Sequence, residues 1–176
     1  MVVPLMLVLF FGTVELGSAV AISRKVTLMA HTLSDLTSQS PPAGVSDTDI
    51  NNYFTAANSI MWPYNPGSLT PYPNAPMQGT ISELYIDPNT LAARVQWSKG
   101  SAPRAPRSSV VIPAALAVGG TYLIYSEVSY AYAPPVGYVL KTGITLSDFA
   151  YTRPRQSACV TYPASASGNS TPCPQL

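Results

Sequence analysis

The side chains able to do chemistry in this 176-residue chain are few and scattered. There is one histidine, His31, and there are two cysteines, Cys159 and Cys173. Acid–base or nucleophilic catalysis needs its partners within hydrogen-bond reach. Glu15, Glu83 and Glu127 lie far apart in sequence, with no local motif beside them. The chain carries no G-x-S-x-G elbow, phosphate-binding loop or H-E-x-x-H pattern. A structural metal takes four ligands, whereas the cysteines supply two and His31 is remote. The sequence therefore reads as a non-enzyme, with no catalytic, cofactor-binding or metal-binding residues and no small-molecule substrate.

The cysteines have another use. They bracket VTYPASASGNSTP, a loop of small and turn-forming residues. In an oxidising compartment a Cys159–Cys173 disulfide closing such a loop stabilises by about 3 kcal/mol. Two free thiols, or half of a metal site, are the other readings, and the disulfide is the favoured one. Asn169-Ser170-Thr171 fits the glycosylation pattern, a short pattern of little weight.

The element that positions everything else is the apolar run Val2–Ile22, VVPLMLVLFFGTVELGSAVAI, whose only charge is Glu15. As a helix it spans roughly 30 Å, one bilayer core. Pro4 falls in the first turn, where a missing N–H costs little. Gly12 and Gly17 allow close approach of a neighbouring helix, and Glu15 suits a pairing group for such a partner. An acid near the lipid headgroups is an equal reading of Glu15. Ala19-Val20-Ala21 resembles a signal-peptidase site, so a cleaved signal stands beside a retained anchor. Glu15, and the lack of a basic residue ahead of the run, favour the anchor. Arg24 and Lys25 would hold the following domain in the cytoplasm by the positive-inside rule. That conflicts with its exported character and is relieved if a basic segment precedes Met1.

The helical pattern continues through Val26, Met29, Ala30, Leu33 and Leu36 and stops at Ser40-Pro41-Pro42, giving one helix of about 35 residues. Residues 1–40 are thus read as a transmembrane and extended helix, and 41–176 as an extracytoplasmic domain with a disulfide-closed tail. Net charge is +1, charged residues make up 10%, and there are 18 prolines and 11 tyrosines. No basic patch argues for nucleic acid. Ser46, followed by Asp47 and Asp49, is a helix N-cap. Ile50, Tyr53, Phe54, Ala57, Ile60 and Met61 then share a face up to Trp62-Pro63. Tyr64 to Met77 is a proline-rich loop.

Beyond it the period falls to two. Thr80–Asp87, a Pro88-Asn89 turn and Leu91–Ser98 form a hairpin. Lys99–Arg107 is expected to be a mobile connector, and Pro113 starts a short helical turn. Thr121–Tyr132 is apolar on both faces and belongs inside the sheet; Pro134-Pro135 ends it, and Ile144–Thr152 closes the domain. The fold class is α+β: a long pilin-like N-terminal helix and a second helix packed on an antiparallel sheet of about four strands.

Several segments together resemble the TadE-like family of the tight-adherence (Flp-type) pilus assembly system. VVPLMLVLFFGTVELG is similar to its proline-led apolar signature, through Pro4, Phe11, Gly12, Glu15 and Gly17, although Leu16 stands where an aromatic residue is usual. IYSEVSYAYAPP resembles the family strand through Glu127, Val128, Tyr130, Tyr132 and Pro134. ITLSDFAYTRPR resembles the closing strand through Tyr151, Arg153, Pro154 and Arg155, and Trp97 in VQWS fits the hairpin between them. The resemblance implies a pseudopilin-like protein of the bacterial inner membrane with a periplasmic domain. Its partners would be other pilus-assembly subunits and inner-membrane platform proteins. The small size favours the TadE and TadF roles over the usually larger TadG. The family's basic leader and peptidase site would precede Met1. The competing reading is a secreted or periplasmic binding or adhesin domain released by signal cleavage.

Overall fold

The computed structural model describes residues 2–64, 77–133, 143–164 and 173. The first helix, α1, runs from Val2 to Ser38 without a break, 37 residues in all. Its only proline, Pro4, sits in the opening turn, and Pro41-Pro42 follow its end. The second helix, α2 (Asp47–Asn58), opens with a reciprocal capping box. Ser46 Oγ accepts from the Asp49 N–H at 3.2 Å, and the Asp49 carboxylate accepts from the Ser46 N–H at 2.9 Å. A 3-10 turn, Ser59–Met61, carries α2 on to Trp62.

Five strands follow: β1 (Met77–Ile86), β2 (Ala93–Gly100), β3 (Ser109–Val110), β4 (Tyr122–Tyr132) and β5 (Ile144–Thr152). They form one antiparallel sheet in the order β3-β2-β1-β4-β5. The class is α+β, as expected, and the strand beyond about four is the two-residue β3. β4 lies inside the sheet between β1 and β5, in keeping with its two apolar faces. β1 begins at Met77, ahead of the expected Thr80, and β2 is displaced two residues toward the C-terminus. Glu83 pairs with Trp97 and Leu84 with Val95, so Gln96 is the extra residue of a bulge.

The helices cover one face of the sheet. Ile22, Val26, Met29, Ala30 and Leu33 of α1 join Ile50, Phe54 and Ala57 of α2 against Ile81, Ile124, Val128 and Ala150. Burial of the larger of these, the isoleucine, valine, leucine, methionine and phenylalanine side chains, contributes roughly 1.5–3 kcal/mol each. Ser126, polar within this core, donates to the Ala30 carbonyl at 2.6 Å and so is satisfied. At the β5 end, Thr27 bonds Asp148 and Ser34 bonds Thr152. The opposite face carries a smaller cluster, Leu84, Ile86, Val95, Leu123 and Tyr125, against which Val110, Ile112 and Leu116 pack.

The connector after β2 is tied to the sheet rather than free. Ser101 N–H donates to Gly79 O at 2.9 Å, Arg104 N–H to Ser98 Oγ at 2.9 Å, and Arg107 N–H to Val95 O at 2.7 Å. Its prolines and glycine suggest mobility, but these backbone donors find acceptors on the sheet. The C-terminal tail returns to the helical side. Val45 N–H donates to Thr161 O at 2.9 Å and Ala164 N–H to Val45 O at 2.8 Å. Pro134-Pro135, residues 65–76 of the proline-rich loop and Asn169-Ser170-Thr171 lie outside the described residues.

Candidate functional site

α1 changes character along its length. From Val2 to Phe10 its large apolar side chains are 50% to 68% exposed. From Glu15 onward a stripe is buried: Glu15, Ala19, Ile22, Val26, Met29, Ala30, Leu33 and Ser34. These positions recur every three or four residues and form the face turned to the domain. The helix is long and apolar enough to cross a membrane.

The three residues expected to contact a partner helix do not share one face. Glu15 is only 1% exposed and lies on the domain-facing stripe. Gly12 is half-buried. Gly17 is exposed, and a Cβ built on it meets nothing within 4 Å. It lies about 200° around the helix from Glu15. Val20 and Leu28, 54% and 56% exposed, are on the outward side with it.

Lys25 does more than flank the apolar run. Its Nζ donates to the Ile60 carbonyl at 2.7 Å and to the Trp62 carbonyl at 2.8 Å. These oxygens end the 3-10 turn after α2, where the helix has no backbone donors left to offer them. Arg24 beside it is exposed.

Glu83 is the polar centre of the domain. It shares the core face of β1 with Ile81 and Tyr85 and is fully buried. Trp97 Nε1 donates to its Oε2 at 3.0 Å, and the Val160 N–H donates to its Oε1 at 2.5 Å. The same indole N–H also lies 2.6 Å from Val160 O. Burial raises the Glu83 pKa to about 8, against the opposing pull of the Val160 and Trp97 N–H donors. Burial, then the nearby Glu83 charge, pushes the Tyr122 hydroxyl up to about 12. Tyr122, Tyr85 and Cys159 form one small cluster beside this site. Cys159 and Cys173 are disulfide-bonded with their Cα atoms 5.7 Å apart, closing the tail that carries Val160.

The remaining motif residues brace the fold at separate places. Pro4 is exposed in the first turn of α1. Glu127 receives both Arg104 Nε at 2.8 Å and Arg104 Nη2 at 2.6 Å, and the Tyr125 hydroxyl at 3.0 Å. Tyr130 donates to the Tyr64 carbonyl at 3.3 Å, and Tyr132 is buried. Arg155 pairs with Asp35 at 2.6 Å while its N–H meets Ser38 O at 2.9 Å, capping the end of α1. Arg153 is exposed and Pro154 half-buried beside it. Trp97 is drawn to Glu83, as described above. Among the described residues, no group of three or more His, Cys, Asp and Glu side chains is placed to hold a metal ion.

Glu83, Lys25 and Arg104 escaped the sequence reading. For Glu83 a signal existed: an acid alternating with Ile81 and Tyr85 on one strand face cannot be solvated if that face is the core. For Lys25 and Arg104 the partners are 35 and 23 residues away, with no local pattern linking them. Comparisons with protein-family models, with curated proteins and with solved structures found no match.

Proposed function

We propose that this chain is a non-enzymatic, pseudopilin-like component of tight-adherence (Flp-type) pilus assembly. In this reading α1 anchors it in the bacterial inner membrane, the α+β domain lies in the periplasm, and its partners are other pilus subunits and platform proteins. The observation that supports it is the division of α1. One unbroken helix has an exposed apolar N-terminal part and a C-terminal part that is core to the domain. Such a helix holds the domain at a fixed distance from a membrane and leaves its outward face for another helix. The disulfide fits an oxidising compartment.

The second reading is a secreted or periplasmic binding or adhesin domain. It is favoured by Ala19-Val20-Ala21, since all buried α1 residues except Glu15 and Ala19 follow that point. Cleavage there would leave the core nearly intact. Membrane fractionation with N-terminal sequencing separates the two. The anchored reading expects the intact apolar run in the inner-membrane fraction. It also expects Val20→Cys to crosslink to a pilus-system protein. A soluble mature chain starting at Ile22 would overturn it in favour of the second.

A further inference from the structure

The outer face of the sheet, turned away from the helices, is covered over only part of its area. The part beyond the Leu84–Leu123 cluster is a cleft of about 380 Å³. Strand register lays two rows of side chains across its floor. Thr80 of β1 is opposite Glu127 of β4, which is opposite Phe149 of β5. One step along, Gln78 is opposite Ser129, which is opposite Ser147. Rows two residues apart share a face and lie about 7 Å from one another, and three strands span roughly 10 Å. Ala102 and Arg104 form the wall.

The polar groups here are fixed in place. Arg104 grips Glu127 through two bonds, Tyr125 adds a third, and the Arg104 backbone is held by Ser98. The guanidinium also lies over the Tyr125 ring, 5.6 Å from its centroid. At the far end Phe149 is 54% exposed yet packed against Tyr125 and Tyr151, with centroids 6.1 and 5.6 Å away. An exposed ring held by two others costs little entropy to use as a platform.

We propose that this cleft binds a neutral saccharide. The apolar face of a pyranose would sit on Phe149. Its hydroxyls would reach the hydroxyl and amide groups of the two rows, which both donate and accept, and the Glu127 carboxylate, which accepts only. The charge balance selects against anions: among the described residues that line the cleft the one cation, Arg104, is matched by Glu127, and Asp148 is a further acid. An extended peptide adding a strand needs unpaired backbone. The floor offers none along β1 and β4, each paired on both sides, and the unpaired edge of β5 lies at the rim of the cleft.

The test uses the full chain in a detergent without a sugar headgroup, applied to an array of neutral, sulfated and sialylated oligosaccharides. Affinities for the neutral glycans retained are then measured by calorimetry. Binding to one or more neutral glycans is expected. Phe149→Ala should weaken it about tenfold or more, Phe149→Tyr should retain it, and Val111→Ala, on an exposed residue elsewhere, should leave it unchanged. Absence of binding across the array overturns the proposal, as does binding confined to the sulfated or sialylated glycans. Undiminished affinity in a folded Phe149→Ala protein overturns the placement of the site.

Discussion

Glu83 and Trp97 face each other across a bulged strand pair, and the indole Nε1 donates to the Glu83 carboxylate at 3.0 Å. Both side chains also hold Val160, whose N–H reaches Glu83 and whose carbonyl lies 2.6 Å from Trp97 Nε1. Two neighbouring strands thus grip the C-terminal tail through one buried carboxyl group. No cation accompanies it in these contacts. That makes its protonation a matter of fold stability.

Stability should fall as pH rises through neutrality. The Glu83 pKa is about 8 in the native domain against 4.5 for an ordinary glutamate. A raised pKa means the native state favours the protonated form. The contribution is complete below about 4.5 and is lost as pH climbs through about 8. Asp47, Asp49 and Asp87 act the other way. Hydrogen bonds, from Tyr162, Ser46 and Asn89 respectively in first place, hold their pKa below 3.8, so their contribution disappears in acid. Thermal melts across this range should show Tm highest in mild acid and a decline toward pH 8. Glu83→Gln should flatten that decline, and an unaltered slope in the variant would remove Glu83 as its source.

Reduction should loosen the tail. The disulfide closes a separation of 14 residues, for which loop entropy predicts about 3 kcal/mol. Urea denaturation of Cys159→Ala and of the reduced wild type should each show a loss of that order. Hydrogen exchange should rise at Val160 and Ala164, whose N–H groups bond Glu83 and Val45. An unchanged urea midpoint under reducing conditions would refute this.

Gly44→Ala should destabilise by more than the ordinary loop substitution. Gly44 has φ +93°, and a Cβ there would lie 2.4 Å from Thr161 O. Strain in such a conformation costs of order 1–3 kcal/mol before the clash is counted. The clash falls on the strand-like contact between Val45 and Thr161, so the tail should again lose exchange protection. A Gly44→Ala protein with wild-type stability would contradict the assigned geometry.

How much of this was legible beforehand depended on range. α1, the Ser46 cap, β4 and β5 were readable because 3.6- and 2-residue periods and capping chemistry are local. β2 lies two residues further on because the turn extends to Ala92, with Leu91 at positive φ, and because pairing with β1 continues to Gly100. The connector 99–107 is tied down despite its composition, because proline and glycine mark irregular backbone without revealing whether its donors meet acceptors elsewhere. Residues expected to act together, Gly12, Glu15 and Gly17, are close in sequence yet spread around the helix. Glu83, Trp97 and Val160, which do act together, are joined only by strand pairing and the tail's return.

Lys25 and Arg24 give a direct contrast between two adjacent cations. By sequence they are one basic pair at the end of the apolar run. In the fold Lys25 donates to Ile60 O and Trp62 O at 2.7 and 2.8 Å, whereas Arg24 points to solvent. Lys25→Met keeps the aliphatic stem but leaves two helix-end carbonyls without their charged donor. Hydrogen bonds to charged groups contribute about 1.5–3 kcal/mol, and this pair, half-buried, should cost about 2 kcal/mol. Arg24→Met, at an exposed position, should stay within about 0.5 kcal/mol of wild type. Urea melts of the two variants in the same detergent supply the comparison. Equal effects would mean that Lys25 acts only as surface charge and that the end of α2 is held by apolar packing alone.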